Sequence, residues 1–389
     1  MKELIFQLGT ARELCLAELQ ALFPEVKLLG RQVALIKVSD QTDEQQLQAR
    51  LGGTVKIAKV MAHLPKDTDE NGLAKFVANY LLSLGSEKVY FAVGELERDH
   101  LPAVDIIAIK KMLEERKLKV RFSAGSRHGA GAALLLHRQK LTEVLIVNSE
   151  EEIVVARTMV VQDIDEWTRR DRGKPYADHK KGMLPPKLAR IMINLAGVSS
   201  KNDIIEHNLS IYDPFCGTGT ILLEAALDGY RLFGSDLDVK AVIGAKENLE
   251  WLAKEYQLKL ESKILVKDVT QVHQQDLGQK IDLLVTEPFL GKQTPQASQL
   301  QGIFRGLGKM YWGAFRNWSK ILNDGAKVVS VFPVVQADNG REFNLDSLLD
   351  KLKTLGYNKQ SQKLIYARPQ AIVKREICVF EWKKVDRQD

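Results

Sequence analysis

The stretch YDPFCGTGT, Tyr212–Thr220, decides the fold. It follows a short apolar run, SIYD, and opens into a helical stretch from Ile221 to Leu227, with a glycine turn between them. Outward from it the same alternation continues: RLFGSD, a helix through Asn248 to Trp251, KILVKD, IDLLVTEPF, another helix, then KVVSVFP. Short apolar strands alternating with amphipathic helices predict a parallel sheet with helices on both faces. Beyond it come a helix over Leu345 to Leu355, a turn at Gly356, and the strands KLIYAR and REICVFEW, which predict a closing antiparallel hairpin.

The chemistry is concentrated where these strands end. Gly217 and Gly219 let the backbone pass close to a ligand, which a side chain at either position would block. The spacing is Gly-Thr-Gly, not the pattern of nicotinamide enzymes, and acids surround it. Asp213 precedes the turn, Asp236 ends the next strand, and Asp268 ends the third. A carboxylate at the second position, roughly 20 residues after the turn, suits ribose hydroxyls. Three strands ending in acids on one edge imply a nucleoside-containing cofactor.

D-P-x-C-G-T-G-T, followed by G-S-D and a V-x-D strand, resembles the S-adenosylmethionine site of class I methyltransferases. The resemblance places Asp213 near the methionine moiety, with Phe215, Gly217 and Gly219 in the surrounding turn. It puts Asp236 on the ribose and Asp268 on the adenine amino group. Amino-methyltransferases of this kind carry an Asp/Asn-Pro-Pro-aromatic corner after the fourth strand, where this chain has Thr286-Glu287-Pro288-Phe289. An exocyclic amine is a poor nucleophile, so a site must direct its N–H bonds to acceptors and leave the lone pair facing the methyl group. Glu287 is the expected acceptor, Pro288 stiffens the corner, and Phe289 supports a flipped base. The copy departs from the pattern: Glu287 is one methylene longer, Phe289 stands where a second proline is expected, and Leu290 where the aromatic is expected.

The segment Arg169–Gly197 is similar to the one preceding the cofactor site in THUMP-containing tRNA guanine-N2 methyltransferases. That resemblance implies a ferredoxin-like domain over residues 1–62, a THUMP domain over 63–160, a basic linker over 161–190 and the methyltransferase domain over 191–389. The N-terminal pattern agrees with two small α+β modules: ELIFQLG, a helix over Ala11 to Leu22 and VALIKV, then a helix over Leu73 to Leu84, KVYFAVGEL, a helix over Val104 to Arg116 and KVRFSA. The implied activity is methylation of the exocyclic N2 of a guanosine in tRNA. Because the corner is altered, methylation of adenine N6 in RNA or DNA, or a tRNA-binding protein that has lost turnover, fits as well.

The net charge of +6 is local: residues 166–190 hold 8 Lys+Arg against 3 Asp+Glu. With its prolines and aromatics, that segment reads as an extended connector facing phosphates. RNA contacts are expected from Arg169, Arg170, Arg172, Lys180 and Lys181 there, and from Lys119, Arg121, Arg127 and Arg138 in the THUMP module. The three cysteines form no CxxC pair, and Cys216 reads as a small packing residue, so neither disulfides nor a metal is expected. Tyr311, Phe315 and Trp318 form a core stripe at helical spacing. No run is apolar enough for a membrane span, and MKELIFQLGT lacks the pattern of a signal peptide, which predicts a cytoplasmic protein.

Overall fold

The apolar runs that end in acids lie side by side as parallel strands. In the computed structural model the described residues are 1–97, 104–123, 129–137, 140–177, 183–198, 200–337, 340–360 and 362–385. They divide into two units, Met1–Glu166 and Trp167–Asp389. In the second, strands Ser262–Val266, Arg231–Asp236, Ser210–Asp213, Ile281–Thr286 and Leu322–Gln336 follow one another across the sheet, each pair parallel. Helices Thr220–Asp228, Val239–Glu255 and Leu300–Trp318 connect them, giving a Rossmann-like α/β layer.

Strand Val373–Trp382 then pairs antiparallel with Leu322–Gln336. Leu364–Tyr366 pairs antiparallel with Val373–Trp382, which is the expected hairpin. Helix Leu300–Trp318 shows why the core sits where it does. Its apolar residues Leu300, Phe304, Leu307, Tyr311, Phe315 and Trp318 recur every three or four positions and are all buried against the sheet. Phe315 lies 4.4 Å from Trp318 and 5.0 Å from Tyr357, ring centre to ring centre. Burying each such ring stabilises the fold by about 1.5–3 kcal/mol.

The glycine turn is braced from behind by charge. Helix Pro186–Asn194 presents Arg190, 1% exposed, to Glu224 and Asp228 of helix Thr220–Asp228. Arg190 Nη2 also donates to the Glu224 carbonyl at 2.8 Å, and Arg170 Nε donates to Glu224 Oε1 at 2.8 Å. The expected extended connector is therefore corrected. Ile164–Arg172 is a helix, because Trp167 and Arg170, three residues apart, turn inward together, the guanidinium 4.3 Å from the indole.

The first unit is built on one eight-stranded sheet. Its long strand Thr54–Pro65 pairs antiparallel with Lys2–Leu8 on one side and Glu152–Val161 on the other. Leu141–Asn148, Lys88–Leu96 and the edge strand Lys119–Phe122 continue it. Helices Glu70–Ser83 and Ile106–Glu115 cover this end. They begin at Glu70 and Ile106, not at Leu73 and Val104, because Asp69 and Asp105 accept from the Gly72 and Ala108 amides and so set the first turn. No described helix is long and apolar enough to cross a membrane.

Removing one partner of a buried charge cluster strands the others, which costs about 3–5 kcal/mol. Arg190→Ala is accordingly expected to lose stability of that order, read as a lowered urea midpoint. A loss below about 1 kcal/mol, the range of exposed pairs, would show that the cluster does not brace the turn.

Candidate active site

Four acids follow the carboxyl ends of four neighbouring parallel strands, in the order Asp268, Asp236, Asp213, Glu287 across the sheet. At about 4.8 Å per strand they span roughly 14 Å, the extent of a nucleoside with a short chain attached. At the centre is Asp213, only 2% exposed. Its Oδ1 accepts from Thr286 Oγ1 at 2.7 Å and from the Phe215 amide at 3.1 Å. Burial pushes this carboxyl up to about 7; the bonds from Thr286 and Phe215 pull it back, while the nearby charges of Asp236 and Glu287 add to the rise.

The glycine turn wraps around this group. Gly217 (φ +51°) and Gly219 (φ +87°) both hold the left-handed conformation that disfavours any side chain. A Cβ on Gly217 would meet nothing within 4 Å, so the backbone there is open to a close approach. The Gly217 amide donates to Asp236 Oδ2 at 2.9 Å, and Asp236 Oδ1 accepts from the Asp238 amide at 2.9 Å. Each oxygen keeps a lone pair for a further donor. Asp268 spends Oδ1 on the amide and hydroxyl of Thr270, at 2.8 and 2.6 Å, and keeps Oδ2. Burial also lifts the Cys216 thiol well above its ordinary range, consistent with a packing role.

Residues outside the motif complete the wall. Lys174 is 4% exposed, and its Nζ donates to Thr220 Oγ1 at 3.2 Å. Burial draws its ammonium below the ordinary lysine range. Asn248 clamps Tyr176 through both backbone atoms, at 2.9 Å each, and binds the Thr218 carbonyl at 2.9 Å. Gly244 is required here: a Cβ would lie 2.4 Å from the Tyr176 ring.

The fourth strand's corner holds a charge pair. Glu287 Oε1 accepts from Nε of Arg375, the side chains 14% and 11% exposed. Arg375 was not singled out in the sequence. The available signal is that it shares a strand face with the buried Ile377 and Val379, where a charge needs a partner. Tyr366 lies directly opposite Arg375 in the antiparallel pair and so on the same face. Pro288 is buried, whereas Phe289 is 60% exposed.

The expected RNA contacts fare unequally. Lys119 and Arg121 are exposed on their edge strand, and Arg172 is exposed. Arg169 is exposed and pairs with Glu255 at 2.9 Å. Arg170 is corrected: burial against Glu224 and Trp167 turns it from any surface phosphate. Arg127, Arg138, Lys180 and Lys181 lie outside the described residues.

These residues fit S-adenosylmethionine. The open backbone at Gly217, the spare lone pairs of Asp236, the free Oδ2 of Asp268 and the buried carboxyl of Asp213 suit the hydroxyls, amine and positive charge such a molecule presents.

Residues 174–334 match a family described as "RMKL-like, methyltransferase domain". A tRNA (guanine(10)-N2)-dimethyltransferase of Methanothermobacter thermautotrophicus is 32% identical over 166 residues, 40% of this chain and 45% of that protein. One from Methanocaldococcus jannaschii is 32% identical over 40% of this chain and 44% of its own. The chain thus spans less than half the length of these curated relatives. A protein of Methanothermococcus thermolithotrophicus, named a probable tRNA (guanine(10)-N2)-dimethyltransferase, is 30% identical over 46% of this chain and 96% of its own length. Among solved structures, TrmN from Thermus thermophilus matches 98% of this chain and 100% of its own at 18% identity and TM-score 0.52, a likeness of fold. By its match to the Methanothermococcus protein over nearly that protein's whole length, the chain belongs to that protein's family, and it carries an RMKL-like methyltransferase domain over residues 174–334.

Proposed function

We propose that the protein transfers a methyl group from S-adenosylmethionine to the exocyclic N2 of a guanosine in tRNA. The observation that carries this reading is the row of four acids on adjacent parallel strands, the last in an acid-proline corner. The names of its relatives place their own methyl groups on guanosine 10 of tRNA, and we extend that position to this chain.

When bound, S-adenosylmethionine supplies a methyl made electrophilic by the sulfonium. The protein's part is positioning. Asp236 holds the ribose, Asp268 the adenine amine, and Asp213 faces the methionine end. Glu287, paired with Arg375, accepts an N–H of the target amine and so turns its lone pair to the methyl. Pro288 fixes the corner, and the exposed ring of Phe289 is free to meet the base.

For the first unit the proposal is a ferredoxin-like module over residues 1–62 and a THUMP module over 63–160, joined by the basic segment 161–190 to the catalytic part, 191–389. The exposed cations of edge strand Lys119–Phe122 support tRNA binding by the first unit, and the exposed Arg169 and Arg172 support it by the second. A flipped base costs a few kcal/mol, which these distant contacts offset. With a tRNA substrate, the proposal extends to a cytoplasmic protein.

Incubation of the pure protein with tRNA and S-adenosylmethionine, followed by nucleoside mass analysis, is expected to yield N2-methylated guanosine; N6-methyladenosine, or no methyl at all, would refute the assignment. Glu287→Gln is expected to keep cofactor affinity and lose at least about a hundredfold in kcat, the scale of one oriented electrostatic contact. Asp236→Ala should weaken cofactor binding at least about tenfold by calorimetry, since it removes hydrogen bonds to a charged acceptor.

Asp213 adds a pH dependence. Its raised value means that the ligand-free protein gains stability from this group at low pH and loses it as pH rises through about 7. A cationic ligand reverses the preference, because it favours the carboxylate. Cofactor affinity should therefore fall about tenfold per pH unit below 7 and level off above it. Asp213→Asn should flatten that profile, and an unchanged slope would remove Asp213 from the site.

A further inference from the structure

Arg375 is sunk into the corner with its side chain 11% exposed. Its Nε donates to Glu287 Oε1, and among the described residues nothing accepts from Nη1 or Nη2. Neither nitrogen is sealed from solvent. A guanidinium carries five N–H donors, and one this deeply placed is costly unless they are satisfied. The remaining donors and Glu287 Oε2, which accepts no bond among the described residues, are thus open to a further partner.

By its chemistry the pair offers two acceptors and a donor: Glu287 Oε2, Glu287 Oε1 and an Arg375 Nη–H. The Watson–Crick edge of guanine presents the reverse, two donors and then an acceptor: N2–H, N1–H and O6. We propose that Arg375 selects the base, donating to guanine O6 while Glu287 accepts from N1–H and N2–H. This rests on the guanosine-N2 reading above and names the residue that enforces it. Adenine is refused, because with its amine at the methyl its N1 lone pair would oppose Oε1 and its C2–H would leave the Nη donors without an acceptor. The ring of Tyr366, on the same face as Arg375, is placed to stack on a base so held. No covalent step is added: the pair fixes which base enters and which amine meets the methyl.

The test uses the full chain and tRNA in which the methylated guanosine is replaced by 2,6-diaminopurine. That base keeps the 2-amino group but loses N1–H and exchanges O6 for an amine. Wild-type protein is expected to prefer guanine by about ten- to hundredfold in kcat/KM, the discrimination typical of an arginine reading a guanine edge. Arg375→Met should lose most of its rate on guanine and less on diaminopurine, so that the preference shrinks to the part Glu287 keeps through N1–H. Arg375→Lys, which restores one donor, should recover part of it. Calorimetry with S-adenosylmethionine shows that each variant retains its fold, and if the methionine variant does not, the lysine variant decides.

Equal losses on both bases would show that Arg375 only props Glu287, and the proposal would fall while the guanosine reading stood. An unchanged preference in the variants would sink it too. Wild-type transfer to adenosine, or to no base, would overturn the guanosine reading and this inference with it.

Discussion

The site depends on a single hydrogen bond inside the sheet, from Thr286 Oγ1 to the buried carboxyl of Asp213. The two residues end neighbouring parallel strands, one leading into the glycine turn and the other into the acid-proline corner. The bond therefore ties the glycine turn, proposed to receive the cofactor, to the corner proposed to receive the acceptor. Because Asp213 is buried beside two other acids, it sits near its point of ionisation, so the charge of whatever binds decides its state. Behind it, Arg190, Glu224 and Asp228 fix the helix that follows the turn. The glycine backbone is thus held from both sides.

The altered corner becomes intelligible through Arg375. A longer acid moves the carboxylate outward, where a guanidinium from the next strand but one can reach it. The family pattern uses a shorter acid. Here a cross-strand ion pair holds a long one. If the pair meets the base as proposed, the C-terminal hairpin belongs to the site, because it supplies both Arg375 and Tyr366.

How much was legible follows from what each residue depends on. The parallel sheet was readable because strand and helix periods differ and each apolar run has its own length. Asp213, Gly217, Gly219 and Asp236 were readable because they lie within a short stretch whose spacing backbone geometry alone fixes. Arg170 misled, since a cluster of cations looks the same in sequence whether it faces solvent or a buried Glu224. Lys174 and Gly244 carried no local sign at all; their roles come from Thr220 and Tyr176, dozens of residues away.

The sequence by itself determined the alternation of elements, the edge at which the acids gather and the chemistry of a nucleoside-binding turn. These are local properties, set by side-chain period and backbone freedom. Only the tertiary structure decided which carboxylates are buried, that Thr286 bonds to Asp213, and that Glu287 meets Arg375 across 88 residues of chain. Burial and charge pairing are relations between strands, and strand order is not written in any one of them.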